Sequence, residues 1–212
     1  MAAPLKVEFH FDFGSPNAYL AGLVLPEIEG RTGVKFGYVP VLLGGVYKAT
    51  GNMSPADSLR GIKNKPEYNE LLTQRFLRRH GITKFKMNPF FPVNTLALMR
   101  GAIAAEFEGL FEPYFHAAYH HMWVEPKKMD DPQVFRDAFL SSGLDIDRII
   151  ARAQQDDVKK KLIENTNSAV ERGTFGSPTF FVGNEIYFGK DSLRDVEDEI
   201  VAQLAAARRK TA

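Results

Sequence analysis

The chain has 212 residues, 44% of them hydrophobic, and its 27 basic and 26 acidic side chains leave a net charge of +1. This length suits one large domain or a core domain with an insertion, and the balanced charge gives nucleic acid or an anionic membrane surface no particular attraction. The chain contains no cysteine, which excludes disulfides, thiolate metal sites and redox chemistry by its own thiols.

The first predicted element is a strand from Leu5 to Phe11, in which apolar residues alternate with polar ones. Such alternation is typical of a half-buried strand. Ser15 then suits the N-cap of a helix, and Pro16 suits its first position, where the missing N–H costs nothing. We expect this helix to reach about Gly30, with a kink near Pro26.

A second strand is predicted from Val34 to Leu43, followed by a glycine-containing loop from Gly44 to Pro55. A strand–helix–strand segment of this length forms a right-handed parallel unit. From about Pro55 to Arg172, apolar residues recur at three and four positions, which predicts five or six amphipathic helices. No apolar run approaches ~18 residues, and residues 1–4 lack the features of a secretory signal. We therefore expect a cytoplasmic protein without a membrane span.

Strand character returns at Pro178 to Val182, and Gly183-Asn184 predicts a tight turn into a second strand from Glu185 to Phe188. A last helix is predicted from Asp191 to Arg208, with Asp191 or Ser192 as its cap.

This order of elements, β-α-β, a helical block and then β-β-α, predicts an α/β thioredoxin-like fold with a large inserted all-helical domain. Residues 1–55 and 174–212 would form the thioredoxin-like domain, and residues 56–173 the inserted helical domain.

Two turns stand where a thioredoxin-like fold builds its active site: Gly14-Ser15-Pro16 after the first strand and Gly176-Ser177-Pro178 before the third. In that layout the bond before Pro178 is cis, which would leave the backbone N–H and C=O of Ser177 free to pair with a peptide ligand. Because the chain has no cysteine, the reactive sulfur would arrive on a ligand. Glutathione is the obvious candidate.

Ser15 is the candidate catalytic residue. Its hydroxyl could donate a hydrogen bond to a bound thiolate, which would lower the pKa of that thiol. The alternative is that Ser15 only caps a helix. The segment Gly189-Lys190-Asp191-Ser192 could likewise bind the charged end of a ligand, through N–H groups for a carboxylate and the Asp191 carboxylate for an ammonium group, or form a plain N-cap.

Three further sets of residues have a structural alternative. Glu112, His116 and His120 recur every four residues, with His121 next, but no distant ligand completes a metal site, so we expect a polar helix face or an interface and no metal. His10 is expected to be a paired structural histidine. Trp123 and the segment from Met87 to Phe91 would either line an aromatic pocket or pack in the core.

The ordered set of motifs resembles the 2-hydroxychromene-2-carboxylate isomerase family, which is related to kappa-class glutathione transferases and to periplasmic disulfide oxidoreductases. The resemblance covers nearly the whole chain and is carried by Phe11-Asp12-Phe13-Gly14-Ser15-Pro16, Tyr19-Leu20, Gly51-Asn52, Lys65 with Tyr68, Trp123, Gly176-Ser177-Pro178-Thr179 and Phe188-Gly189-Lys190-Asp191.

The resemblance implies glutathione as cofactor, an aromatic small-molecule substrate and a homodimer. It implies that Ser15 faces the glutathione sulfur, that Ser177 contacts the cysteinyl part and that Asp191 holds the γ-glutamyl end. Asn52 and Lys65 match positions that reach glutathione in kappa-class enzymes, although Lys63 is an equal match for Lys65. Lys190 stands where relatives often have Ser or Asn. The remaining predicted cofactor-binding residues are Pro178 and Ser192.

The implied reaction is a reversible thiolate addition, bond rotation and elimination in the breakdown of aromatic compounds. Two alternatives stay open: a kappa-like glutathione transferase, and a non-catalytic thioredoxin-like binding module.

Overall fold

A computed structural model describes residues 5–211, apart from the side chains of residues 56, 210 and 211. Its strands are β1 (Val7–Phe11), β2 (Phe36–Pro40), β3 (Thr179–Val182) and β4 (Glu185–Phe188). Its helices are α1 (Pro16–Gly22), α2 (Leu25–Thr32), α3 (Leu43–Thr50), α4 (Pro55–Ser58), α5 (Lys65–Arg79), α6 (Leu96–Phe107), α7 (Phe111–Trp123), α8 (Pro132–Ser141), α9 (Ile146–Ala153), α10 (Asp156–Glu171) and α11 (Leu193–Thr211). A 3₁₀-helix, Lys190–Ser192, lies between β4 and α11.

The four strands form one mixed sheet in the order β2-β1-β3-β4. Strand β1 runs parallel to β2 and antiparallel to β3, and β3 and β4 form an antiparallel hairpin. Helices α4 to α10 all lie in the chain between β2 and β3. This confirms the predicted fold class, whereas the exact domain boundaries stay a prediction.

Strand β1 is buried on both faces, so the expectation of a half-buried strand was wrong. Because side chains alternate along a strand, Val7, Phe9 and Phe11 share one face. Glu8 and His10 share the other and are only 5% and 2% exposed. Strands β2 and β3 pair with its two edges, and other parts of the chain cover its faces, with α7 on the face of Phe11. The alternation of its sequence indicates only one buried face.

An aromatic core joins the sheet to α7. The ring of Phe11 lies 5.2 Å from that of Phe115, and the ring of Phe13 lies 4.9 Å from that of Tyr119. Each large apolar side chain buried in this way stabilises the fold by about 1.5–3 kcal/mol. The core thus places α7 directly behind the turn that follows β1.

The helix predicted after Ser15 is two helices, α1 and α2, which meet at Leu23 and Val24. Pro26 stands in the first turn of α2, where the missing N–H is tolerated. It therefore starts a new helix instead of bending an existing one.

The predicted loop from Gly44 to Pro55 was wrong over most of its length, because residues 43–50 form α3. Helix α3 packs on α10. A Cβ atom at Gly45 would lie only 3.2 Å from Cγ2 of Thr166. Close packing thus uses a glycine that the sequence alone assigns to a loop.

Between residues 55 and 172 the described chain forms seven helices, whereas five or six were expected, and two of them arise at breaks that were not predicted. One is the single-turn helix α4. The other arises because the chain breaks at Gln154 and Gln155, between α9 and α10. The C-terminal helix begins as the 3₁₀-helix and extends beyond the predicted end at Arg208. Within the described chain, none of the helices combines the length and the apolarity that a membrane span requires.

Candidate active site

The turn after β1 places Ser15 at the start of α1, as predicted. The N–H of Ser15 donates to the carbonyl of Asp12 at 3.0 Å. The Ser15 hydroxyl accepts a hydrogen bond from the N–H of Ala18 at 3.2 Å, which is the N-cap contact. Pro16 follows in the first turn of the helix.

The loop before β3 lies against this turn. The bond between Ser177 and Pro178 is cis, as predicted. The hydroxyl of Ser15 donates to the carbonyl of Ser177 at 2.8 Å, and the N–H of Asp12 donates to the hydroxyl of Ser177 at 3.1 Å. Ser15 and Ser177 are 5% and 7% exposed, so the two predicted landmarks form one buried contact.

This contact corrects one expectation about Ser177. Its carbonyl is not free, because it accepts the proton of Ser15. Its N–H has no acceptor within residues 5–211 and is free. The same is true of the N–H of Asn17 in the first turn of α1. Two backbone donors next to Ser15 therefore remain for a ligand.

Asp12 is a buried acid behind the turn that sequence reasoning did not single out. Its carboxylate accepts hydrogen bonds from the N–H of Gly14 and of Leu43, both at 2.8 Å. Burial raises the pKa of Asp12, although these bonds and one from Thr95 oppose the shift. The carboxylate ties the turn to the start of α3. An acid directly after an aromatic strand was the available signal.

Trp123 holds the same turn from the side of α7. Its indole N–H donates to the carbonyl of Phe13 at 2.8 Å, and the ring is fully buried. The N–H of Phe13 donates to the sulfur of Met99 at 3.4 Å. Of its two predicted roles, core packing is therefore confirmed for Trp123, which supports the turn and does not line a pocket.

Asn52 reaches the loop before Ser177. Its side-chain N–H donates to the carbonyl of Phe175 at 2.8 Å, and its side-chain oxygen accepts from the N–H of Met53 at 2.8 Å. The structure thus brings Asn52 to the cis-proline loop by a contact within the protein.

An aromatic pair lies beside the cis-proline loop. The rings of Phe175 and Phe188 are 4.5 Å apart, and both side chains are more than 40% exposed. A Cβ atom at Gly176 would lie 2.7 Å from the ring of Phe188, which explains the glycine there.

In the aromatic segment predicted from Met87 to Phe91, Met87 and Phe90 are about half exposed.

The 3₁₀-helix packs against α1 and carries three predicted residues. Lys190 is only 4% exposed, and its ammonium group lies 2.7 Å from the carboxylate of Asp191 and over the ring of Phe76. The carboxylate of Asp191 is exposed. The hydroxyl of Ser192 donates to the carbonyl of Phe188 at 2.6 Å.

A cavity of about 310 Å³ lies at this point, between α2, α5 and α11. Lys190 and Asp191 line it together with Arg31, Arg79 and Arg194. Glu197 also lines it and already pairs with Arg31 at 2.6 Å. The cavity thus offers Asp191 beside further cations, which suits a ligand end that carries both an ammonium and a carboxylate group.

Lys65 and Lys63 are not brought to the turn of Ser15 by any contact among the described residues. Lys65 is the first residue of α5, and both side chains are exposed. The choice between them stays open.

A family model described as a DSBA-like thioredoxin domain matches residues 6–201. The chain belongs to this family. Over 200 residues it is 27% identical to a 2-hydroxychromene-2-carboxylate isomerase from Sphingobium xenophagum, with 92% of this chain and 97% of the relative covered. Glutathione S-transferase kappa 1 from Caenorhabditis elegans is 26% identical over 211 residues, with coverage of 91% and 89%.

A solved structure of a 2-hydroxychromene-2-carboxylate isomerase superposes with a TM-score of 0.79 at 26% identity and covers 98% of this chain and 99% of that chain. The resemblance drawn from the ordered motifs is confirmed. Within the DSBA-like thioredoxin domain, the chain has a serine hydroxyl at the first turn and no cysteine, so it has no thiol of its own with which to exchange disulfides.

The histidines of α7 group differently from the sequence spacing. His116 lies 4.0 Å from Glu112 in an exposed pair, whereas His120 lies 3.4 Å from Glu125. The ligand atoms of His120, His121 and Glu125 are within 4.8 Å of one another. The spacing of four residues pointed to Glu112, His116 and His120, which are not the three groups that lie together. The expectation of no metal stays a prediction.

Proposed function

We propose that the chain is a glutathione-dependent isomerase of the 2-hydroxychromene-2-carboxylate type, acting on ring-opened aromatic acids. The observation that carries the proposal is the Ser15 hydroxyl, which lies 2.8 Å from the carbonyl of Ser177 beside a cis-proline in a chain without cysteine. The names of the Sphingobium xenophagum relative and of the solved structure agree with an isomerase. An isomerisation transfers no net electrons, so the chain needs no thiol of its own.

The described residues fit glutathione at three points. The free N–H of Ser177 suits a peptide carbonyl. The Asp191 carboxylate suits the α-ammonium group, and the buried ammonium of Lys190 suits the α-carboxylate. Asn52 would support the site by holding the loop at Phe175.

When bound, glutathione would supply a thiolate that adds reversibly to a conjugated double bond, which lets the bond rotate before elimination restores it. The chain would contribute a hydrogen bond that the Ser15 hydroxyl donates to this thiolate. A hydrogen bond from this hydroxyl to an anion requires that it turn away from the carbonyl of Ser177, because one hydroxyl has one proton. The buried position of Ser15 excludes water and strengthens that bond.

Absorbance and thiol assays test this function. Loss of chromene-carboxylate absorbance with glutathione in catalytic amount, and with no thiol consumed, is the expected result. No turnover of this substrate would contradict it.

A kappa-like glutathione transferase is the second candidate, and the Caenorhabditis elegans relative supports it. It predicts stoichiometric consumption of glutathione with an aryl halide. A non-catalytic binding module predicts no measurable affinity for glutathione by calorimetry.

We also propose a cytoplasmic homodimer. A mass of twice 23.8 kDa by light scattering is expected, and a monomer at micromolar concentration would contradict it.

A further inference from the structure

A second cavity, of about 560 Å³, lies on the face of the sheet that carries Glu8 and His10. Side chains from β1, β2 and α10 line it, and none of Ser15, Ser177 and Asp191 does. The face of β1 that packs on α7 is the opposite one. The cavity is therefore separate from the candidate active site.

The lining of this cavity is cationic. Four positively charged side chains and one carboxylate contribute to it: Lys6, Lys35, Lys161, Arg172 and Glu8.

The carboxylate of Glu8 is already compensated. It lies 2.7 Å from the ammonium of Lys6 and 2.6 Å from the guanidinium of Arg172. The ammonium of Lys35 lies 2.6 Å from Glu29. Lys161 forms no ion pair within the described part of the chain, so its charge is uncompensated.

Arg172 is held rigidly at the wall of the cavity. Its guanidinium lies 3.8 Å over the ring of Phe181, and one of its nitrogens binds Glu8. A guanidinium carries five N–H donors in a fixed plane, so donors remain for a second anion. Stacking on Phe181 limits the side-chain freedom that a ligand would otherwise have to restrict.

His10 lines the cavity and lacks hydrogen-bond partners. It is 2% exposed, and neither ring nitrogen has a hydrogen-bond partner among the described residues. Oε1 of Glu8 is 3.9 Å from its Nε2, which is beyond hydrogen-bond distance. The expected pairing of this histidine is therefore met only by the contact with Glu8, which is not a hydrogen bond. Buried polar groups almost always form hydrogen bonds, so a buried imidazole without one points to a hydrogen-bond partner from outside the chain.

We propose that this cavity binds a small oxyanion with two or more negative charges, with Lys161 and Arg172 as charged donors and His10 as the buried donor. Asn165 and Ser168 on α10 add an amide and a hydroxyl to the same wall. Phosphoryl groups and polycarboxylates share this chemistry.

Calorimetry on the full chain with inorganic phosphate and, separately, with citrate tests the proposal at an ionic strength held constant with chloride. Saturable binding of at least one anion is expected, and the stronger of the two identifies the phosphoryl or the carboxylate class. No saturable binding of either would overturn the proposal.

Lys161→Ala is expected to weaken the binding about tenfold or more, as the loss of one charge-assisted hydrogen bond does. Lys160→Ala is the matched control, because it removes the same charge from the neighbouring position. Lys160 pairs with Glu164 and does not line the cavity. Equal effects of the two variants would mean nonspecific attraction, and no effect of Lys161→Ala would place the anion elsewhere; either result overturns the site. His10→Gln is a second probe and is expected to weaken binding while glutathione affinity is unchanged.

Discussion

The hydroxyl of Ser15 and the carbonyl of Ser177 are joined by a 2.8 Å hydrogen bond across 162 positions of the chain. The bond closes the first turn against the cis-proline loop and keeps the serine proton on a backbone acceptor. A ligand anion must compete with that carbonyl for the proton. The catalytic role of Ser15 therefore depends on an exchange of acceptors.

Replacement of Ser15 by alanine should raise the pKa of the bound glutathione thiol by about one to two units, because a hydrogen bond to a charged group is worth ~1.5–3 kcal/mol. The rate constant kcat should fall about tenfold or more, while the dissociation constant of glutathione changes little. Ultraviolet titration of the thiolate measures the shift. An unchanged thiolate fraction would show that Ser15 does not activate the sulfur.

Ser141→Ala is the matched control for that variant. The Ser141 hydroxyl also donates to a backbone carbonyl, that of Ala138 at 2.7 Å, but on α8. Ser141→Ala should leave the thiol pKa and kcat unaltered.

Loss of the N-cap by Ser15→Ala should also lower the free energy of unfolding by about 1 kcal/mol.

Asp191→Ala should weaken glutathione binding about tenfold, because it removes the proposed partner of the α-ammonium group and leaves the buried Lys190 ammonium unpaired. Calorimetry measures the dissociation constant. Asp147→Ala removes an exposed acid of α9 that lies 2.5 Å from Arg136, a residue that does not line this cavity, and it should have no effect. Equal affinity in wild type and Asp191→Ala would remove Asp191 from the site.

Trp123→Phe should lower the free energy of unfolding by about 1–3 kcal/mol, because it leaves the carbonyl of Phe13 buried without its donor. It should also lower kcat, since the turn that carries Ser15 loses support. Circular dichroism during chemical denaturation measures stability without relying on the lost indole. Phe85→Leu removes a ring that stacks on Trp123 without breaking the hydrogen bond, and kcat should stay near the wild-type value.

Asp12→Asn should change how stability depends on pH. Burial raises the pKa of Asp12 in the folded state, so the folded state holds this proton more tightly than the unfolded state does. The contribution of Asp12 to the free energy of unfolding is therefore greatest below the unfolded pKa of about 3.9 and declines as the pH rises through the folded pKa. The unfolding free energy of the wild type minus that of Asp12→Asn should therefore decrease from pH 4 to pH 7, as measured by urea denaturation. A difference that is constant over this range would contradict a raised pKa.

Local patterns in the sequence predicted the strand, turn and helix around Ser15, the loop before Pro178 and the hairpin that follows it, whereas the cis bond was expected from the thioredoxin layout alone. They did so because each depends on neighbouring residues: the N-cap at Ser15, the proline at 178 and the Gly183-Asn184 turn. The helix α3 was missed since Gly44 and Gly45 favour a loop locally, whereas in the structure α3 packs on α10 and Gly45 lies against Thr166. The break at Gln154 and Gln155 carries no proline or glycine to mark it.

The supports of the candidate site depend on contacts between distant residues. Trp123 reaches Phe13 across 110 positions, and Leu43 reaches the Asp12 carboxylate across 31. No periodicity in the chain encodes such pairs. The pairing of Asn52 with the loop at Phe175 is of the same kind.

The amino-acid sequence by itself determined that the protein has no thiol of its own, that a serine stands at the first turn of a thioredoxin-like fold and that a proline faces it. Only the tertiary structure decided which acceptor the hydroxyl of that serine binds, which backbone donors stay open and that His10 is buried without a hydrogen bond to any described residue. The physical reason is that propensities and caps act over a few residues, whereas burial and hydrogen-bond satisfaction are set by segments that meet only after the whole chain has folded.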